Sequence, residues 1–294
     1  MTSVEHVSVL NAASALSRER GVALHRLPVG PGGQVDLQEL AGQWPSGNVL
    51  VSVQRANPET GILQPVDEIG RFVRDRGGIF HTDYSAAVGW ETPDLQNRPF
   101  DLATLPSSAM GGPSGIAALW IRRGCRMVPM IHGGAQEDGL RGGTLPVFLA
   151  EGFARAAMHA GRNPEGERTV LADLDRRLVQ VVAREFPEIL RVGEGIARRP
   201  GILNLLVPGI DGQALLSMMD GEGVIVGTGS SCSSHSLKVS HVLTALGYSA
   251  RQAQGSIVLS LGWWNREEDI DPWKQGFSRA ILAMSALRGL DLVK

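Results

Sequence analysis

LPSSAMGGPSGIAALWIRR, residues 105–123, decides how this chain is read. Its second half is a glycine–proline turn running into an apolar strand, GIAALWIRR. Its first half places small side chains, Ser107, Ser108 and Ala109, in the turn after another strand, DLATLP at 101–106. Working upstream, NVLVSV (48–53) reads as a buried strand and GIFHTDYS (78–85) as a second. Between them PVDEIGRFVRDRGG (65–78) predicts a helix opened by Pro65, with Val66, Ile69, Phe72 and Val73 at helical spacing and Gly77 as the stop. Strands alternating with helices predict an α/β domain with a mostly parallel sheet.

Downstream the pattern turns helical. VFLAEGFARAAMHA (147–160) is one helix. ERTVLADLDRRLVQVVAREF (167–186) is another, with Val170, Leu171, Leu174, Leu178, Val181 and Val182 assigned to one apolar face. From about Ile189 a smaller α+β unit is expected: ILNLLVPG, VIVGTGS and SIVLSLG as strands, and Glu267 to Leu290 as a closing helix. The division predicted is a large α/β domain over 1–146, incomplete at its N-terminus, connecting helices over 147–187, and a small α+β domain over 188–294.

Composition narrows the functional classes. A formal net charge of −2 gives no electrostatic footprint for nucleic acid or an anionic membrane. No apolar run is long enough to span a bilayer, and the start MTSVEHVSVLNAASALSRER lacks a basic-then-apolar signal pattern, so a cytoplasmic location is expected. Cys125 and Cys232 cannot form a disulfide framework, and no metal-ligand cluster is visible. The lysines are Lys238, Lys274 and Lys294; every earlier basic side chain is an arginine or a histidine.

Several residues carry possible chemistry. In GIFHTDYSAAVG, alternation puts His81 and Asp83 on one strand face and Phe80, Thr82 and Tyr84 on the other. An acid at the carboxyl end of a strand in an open α/β sheet sits where ligands bind; a helix cap or a solvated turn is the plainer alternative. Cys232, in GTGSSCSSHSLKVSHVL, is surrounded by small residues ahead of a helix, a setting for a reactive thiolate or for a merely exposed cysteine. HGGAQEDGLRGGTLP (132–146) brings backbone amides, Arg141 and Thr144 to a helix start, which suits an anion, although most such loops bind nothing. His6 could cap or face a helix, His235 shares the cysteine segment, and Cys125 reads as incidental.

GPSGIAALWIRR, HGGAQEDGLRGGTLP, GSSCSSHSL and SIVLSLG, in this order, resemble the cysteine desulfurases, pyridoxal-phosphate enzymes of the class V aminotransferase group with the type I fold. The resemblance covers nearly the whole chain. It implies conversion of L-cysteine to alanine with an enzyme persulfide that supplies sulfur to iron–sulfur or thio-cofactor assembly. It further implies pyridoxal 5'-phosphate as cofactor, a sulfur-acceptor or scaffold protein as partner, and a dimer. His6 matches the histidine that stacks on the pyridoxal ring and Asp83 the acid that pairs with the pyridine nitrogen. Cys232 matches the sulfur nucleophile, and Thr144 the hydroxyl that reaches the cofactor phosphate of the neighbouring subunit. Arg141 belongs to the same motif as Thr144.

The departures from the family pattern fall together. A gap-free register from GPSG puts Ser108 and Ala109 where the family has a His-Lys pair, and Ala109 can neither form a Schiff base nor shuttle a proton. Pro58 stands at a ring-contacting asparagine, Ala86 at a ring-contacting glutamine, and Val258 at the arginine that grips the substrate carboxylate. The family's glycine-serine-threonine phosphate loop has no counterpart, which fits a misassigned start, a truncated gene or a protein that works without it. Three functions follow from this pattern. The first is a desulfurase-like protein with impaired turnover and no covalently held cofactor. The second is a non-catalytic subunit that pairs with a complete paralogue or relays a persulfide. The third is a remnant without function.

Overall fold

The computed structural model describes residues 1–162, 164–229 and 239–288. They group into two compact units that interleave along the chain. One comprises Met1–Trp44, Ala56–Gln64 and the described part of Glu165–Lys294; the other comprises Pro45–Arg55 and Pro65–Pro164. The sequence-based division follows chain order, whereas these units do not. Backbone pairing explains the difference. Leu63 N–H donates to the Ala197 carbonyl at 3.0 Å and Arg199 N–H to that of Gly61 at 2.8 Å, which joins the 56–64 segment to the C-terminal half. The buried amide of Gln64 then holds the N-terminal portion, accepting from Val35 N–H at 2.9 Å and donating to the Gly33 carbonyl at 2.6 Å.

The second unit is built on a four-stranded sheet in the order β1-β2-β3-β4: Leu50–Ser52, Ile79–Asp83, Leu102–Pro106 and Ala117–Ile121. The first three strands are parallel, with Ser52 opposite His81 and Asp83 opposite Thr104. Strand β4 runs antiparallel to β3, because a short turn at Gly111–Gly115 returns the chain directly instead of through a crossover helix. The sheet is therefore mixed and mostly parallel, as the α/β reading requires. Helix α3 (Val66–Asp75) buries Val66, Ile69 and Val73 as its spacing predicts, with Asp67 and Glu68 in its first turn where acids favour the helix dipole. Gly70 of α3 has no space for a side chain: a Cβ would lie 2.9 Å from the Phe80 ring. A long helix at 147–162 closes this unit.

The first unit holds a three-stranded antiparallel sheet, β5 (Leu190–Arg191), β6 (Ile202–Leu206) and β7 (Ser256–Ser260). Every residue of β6 is buried, so the strand reads as a continuous apolar run apart from Asn204. Its core includes Leu178, Val182 and Phe186 from the helix Pro164–Glu185, Leu203, Leu205, Ile257 and Leu259 from the sheet, and Trp273 and Phe277 from the helix Ile270–Arg288. Phe277 stacks on Trp273 at 5.1 Å and meets Phe186 edge-on at 4.9 Å.

Two expectations need correction. Val170 is 55% exposed, so the apolar face of its helix starts at Leu171 and continues through Leu174, Leu178 and Val182. VIVGTGS does not form a strand over its described residues; it contributes a single bridge, Gly227 to Val258. Glycines at 227 and 229 supply no side chain to pack, and one bridging pair is all that the ladder gains there.

Asp175, on the long helix, is the polar anchor of the first unit. Its Oδ1 accepts from Arg198 at 2.9 Å and from Gly201 N–H at 2.9 Å, and Arg198 also binds its other oxygen and the Ile202 carbonyl. Removing the carboxylate strands a largely buried guanidinium and a backbone donor. We expect Asp175→Ala to cost about 3 kcal/mol in denaturant unfolding, against less than about 0.5 kcal/mol for Val170→Ser on the same helix.

Candidate functional site

Asp83 ends β2, at the carboxyl edge of the parallel strands where an open α/β sheet presents its ligand-binding groups. Its Oδ1 accepts from the Ser85 backbone N–H at 2.8 Å and the Ser85 hydroxyl at 2.5 Å. No hydrogen bond reaches Oδ2 among the described residues, so one carboxylate oxygen stays available. The strand is locked on both flanks: Arg55 N–H donates to the Asp83 carbonyl at 2.8 Å and Tyr84 N–H to that of Thr104 at 3.0 Å.

On the same face, His81 lies across the three parallel strands. Its Nδ1 pairs with the Ser52 hydroxyl at 2.8 Å and its Nε2 with the Thr104 hydroxyl at 2.9 Å. Burial pushes its pKa down, only partly opposed by the Asp83 charge, which favours the neutral ring. Phe80, Thr82 and Tyr84 occupy the opposite, fully buried face, as alternation requires.

The turn beyond Asp83 is clamped by residues that sequence reading missed. Arg55 and Arg98 grip the two oxygens of Glu91, at 2.9 and 2.8 Å, and the Tyr84 hydroxyl donates to Glu91 at 3.1 Å. Desolvation and the Glu91 carboxylate push the Tyr84 phenol strongly upward, so it remains a donor. None of these charges sits in a motif; three separated segments bring them together.

Ala109 lies in the 3-10 turn Ser107–Met110, directly after β3. This turn abuts the one following Asp83. Gly89 has φ +90°, and a Cβ there would come within 2.6 Å of the Ala109 carbonyl oxygen. The acid and the methyl group thus stand at the ends of adjacent parallel strands, in turns packed against each other. Ala86 belongs to the first of these turns. No lysine precedes residue 238, so this whole unit, Pro45–Arg55 with Pro65–Pro164, contains no amine side chain.

The remaining candidates lie on other elements. His6 caps helix α1 (Val7–Arg20), its Nδ1 accepting from Ser8 N–H at 3.3 Å and pairing with the Ser8 hydroxyl at 2.8 Å. Thr144 and Arg141 are exposed on the glycine-rich segment, where Arg141 donates to the Gly142 carbonyl at 3.2 Å. Glu137 and Asp138 in that segment adopt left-handed backbone conformations, φ 50° and 55°. Val258 is buried in β7, opposite Asn204 and bonded to Gly227 in both directions at 2.7 and 2.8 Å. Pro58 is exposed in the Asn57–Gly61 turn, which the Asn57 side chain organises by accepting from Glu59 and Thr60 N–H, both at 2.9 Å. Cys232, His235 and Lys238 lie outside the described residues. Among the described residues no cluster of metal-ligating side chains occurs.

The model of the family described as "Aminotransferase class-V" matches residues 1–272. A protein named cysteine desulfurase IscS 1, from Archaeoglobus fulgidus, is 36% identical over 271 residues, covering 92% of this chain and 70% of the relative. The chain belongs to the cysteine desulfurase family of class V aminotransferases. A further relative, cysteine desulfurase IscS of Clostridium botulinum, is 36% identical over 92% of this chain and 68% of its own length. A solved structure titled NIFS-like protein superimposes with a TM-score of 0.87 at 31% identity, covering 96% of this chain and 74% of that one. The NifS-like protein from Rickettsia africae gives 0.86 at 29%. The type I fold of this family is thereby established for the chain.

The family depends on pyridoxal phosphate, and the residues present fit that group in one respect and not in another. The open Oδ2 of Asp83, at the carboxyl edge of the sheet, suits a protonated pyridine nitrogen. The methyl group of Ala109 does not suit covalent attachment of an aldehyde, and no other side chain of its unit carries an amine.

Glu59 is a titratable group the sequence did not single out. Burial raises its pKa to about 7, partly opposed by the Ser240 hydroxyl that donates to it at 2.5 Å. A carboxyl raised from its usual 4.5 binds an extra proton when folded. Stability therefore falls as pH rises from about 4.5 to 7, and the penalty is full above 7. We expect Glu59→Gln to remove this slope in urea titrations and to be more stable than the parent at pH 8, by up to about 3 kcal/mol.

Proposed function

We propose that this chain is a desulfurase-like protein that holds pyridoxal phosphate without a covalent bond and turns over L-cysteine poorly or not at all. The observation that carries this reading is the pairing of Asp83 with Ala109. The ring-nitrogen acid is kept, oriented by Ser85 and by the hydrogen bonds on either side of β2, while the neighbouring turn offers a methyl group. Bound cofactor would supply an electron sink for bonds at the α-carbon of an amino acid. In this chain Asp83 would pair with the ring nitrogen. The neutral Ser52–His81–Thr104 row would support the same face without adding charge. This unit carries no lysine amine to form the Schiff base and move the substrate proton, and that loss alone removes orders of magnitude in rate. The names of the relatives support L-cysteine as the ligand and a sulfur acceptor as the partner, with Cys232 as the sulfur carrier.

A second reading, a partner subunit, is supported by a separate observation. Val128, Met130, Val147 and Phe148 are 73–95% exposed along one stretch of the chain that also carries Thr144. Apolar side chains exposed in such numbers commonly mark an association surface. We propose that this stretch pairs with a second copy or a complete paralogue, to which Thr144 would be lent. His6 is assigned to the ring face under either reading.

Alanine release from L-cysteine and retention of cofactor test the first reading. Purified protein is expected to retain pyridoxal phosphate in equilibrium dialysis, with Asp83→Ala weakening it about tenfold or more, since a charge-assisted hydrogen bond is lost. Alanine formation is expected at no more than a small fraction of that of a complete family member. Vigorous turnover abolished by Cys232→Ala would overturn the reading.

A further inference from the structure

In the chain Cys232 falls between two described flanks, Gly229 and Ser240, and each flank is fixed by its own bonds. On the first, Gly227 exchanges backbone hydrogen bonds with Val258 at 2.7 and 2.8 Å, and the Thr228 hydroxyl accepts from the Gln213 amide at 2.8 Å. On the second, Ser240 caps the helix His241–Ala245. Its hydroxyl accepts from Leu243 N–H at 3.2 Å and its carbonyl from Thr244 N–H at 3.1 Å. One side chain meets both flanks. The Ser240 hydroxyl donates to Glu59 Oε2 at 2.5 Å. Gly229 packs against the same oxygen so closely that a Cβ there would collide with it, and that Cβ would stand 3.3 Å from the Ser240 Cβ.

Glu59 reaches this place from a distant, well-braced turn. Asn57 organises that turn and donates to the Val4 carbonyl at 3.1 Å, while the Gly61 carbonyl accepts from Arg199 N–H at 2.8 Å. Charged groups stand on every element bonded to it. Glu5 follows Val4, with Oε1 bonded to the Thr2 hydroxyl, and His6 caps α1 beyond it. Arg198 is engaged by Asp175, and Arg199 is largely buried with an Nε that meets no acceptor. His241 follows Ser240 and is bonded to the Glu5 carbonyl. None of these charges sets the proton affinity of Glu59, which is decided by burial and, against it, by the Ser240 hydrogen bond. The carboxyl therefore keeps its proton to about pH 7. Below that pH a neutral group lies between the flanks at little cost. Above it a charge lies there with no cation beside it, and admitting water is the relief.

We infer that Glu59 is a positioning residue for Cys232, tying together the chain on either side of the thiol, Gly229 to Ser240. The hold depends on the proton: neutral Glu59 keeps the flanks together, and ionised Glu59 loosens them. That the thiol carries sulfur rests on the desulfurase-like reading above; the tie between its flanks does not. Glu59 acts through the placement of the thiol and takes no part in bond making.

Alkylation of Cys232 by iodoacetamide between pH 6 and 8.5 makes the test, in the full chain with Cys125→Ser so that one thiol remains. At each pH the rate of the parent is divided by that of Glu59→Gln, which cancels ionisation of the thiol itself. Glutamine keeps an acceptor for Ser240 and never ionises. The ratio is expected near one at pH 6 and about threefold or more at pH 8.5, with its midpoint near 7. Exchange of the Leu243 and Thr244 amides, corrected for intrinsic rate, should accelerate over the same range in the parent and not in Glu59→Gln. Glu59→Ala should react fast at every pH. Ser240→Ala should move the midpoint upward, because the bond that opposes burial is gone. A ratio that is flat or falls across the range, or amide exchange that rises equally in Glu59→Gln, would overturn the assignment. Persulfide on Cys232, formed with L-cysteine and a complete family desulfurase and read by mass spectrometry, separates the two claims. A rising ratio without persulfide removes the sulfur-carrying reading and leaves the tie; persulfide with a flat ratio does the reverse.

Discussion

The parallel register of β1, β2 and β3 sets the geometry on which the candidate site depends. Because Ser52 pairs with His81 and Asp83 with Thr104, one face of the sheet carries a hydroxyl, an imidazole, a hydroxyl and a carboxylate in adjoining rows. The same register brings the ends of β2 and β3 level, so the turn after Asp83 packs against the turn containing Ala109. A single-residue slip would send Asp83 to the buried face occupied by Phe80, Thr82 and Tyr84. The buried Asp101 resists that slip: it accepts from Phe80 N–H at 2.7 Å and from Arg122 at 2.6 Å, pinning β2 and the exit of β4 to the start of β3.

Around this fixed edge the side chains divide by chemistry. Those that orient Asp83 and stiffen its turn are present and fully engaged: Ser85, Arg55, Glu91, Arg98 and Tyr84. Under the reading proposed above, the positions expected to react or to grip a substrate hold groups without charge, Ala109 and Val258. On that reading a binding scaffold persists where the lysine-based proton transfer does not. Structural ion pairs tolerate no partial loss, since either partner left alone in a low-dielectric setting costs several kcal/mol.

Much of the α/β unit was legible in the sequence. β1, β2, β3 and α3 follow directly from apolar spacing and from the positions of Pro65 and Gly77, and the strand face of Asp83 followed from alternation alone. The antiparallel return of β4 was not foreseen, because a strand pattern does not state its direction. Residues 224–230 read as a strand by composition, yet among the described ones, 224–229, only Gly227 pairs, since apolar β-branched residues can equally line a loop. The interleaving of the two units was hidden for a different reason. It rests on side chains such as Gln64 and on isolated backbone bridges, which leave no periodic trace. Glu59, Glu91 and Arg199 were likewise invisible, because their character comes from burial and from the presence or absence of distant partners.

The central claim is that the unit bearing Asp83 can hold an aldehyde cofactor only without a covalent bond, because position 109 is a methyl group. Mass spectrometry of protein incubated with pyridoxal phosphate and reduced with borohydride tests it most directly. The account predicts no adduct within residues 45–164 of the parent chain and a single phosphopyridoxyl adduct at position 109 of Ala109→Lys. A stoichiometric adduct in the parent at any site, abolished by Asp83→Ala, would contradict it.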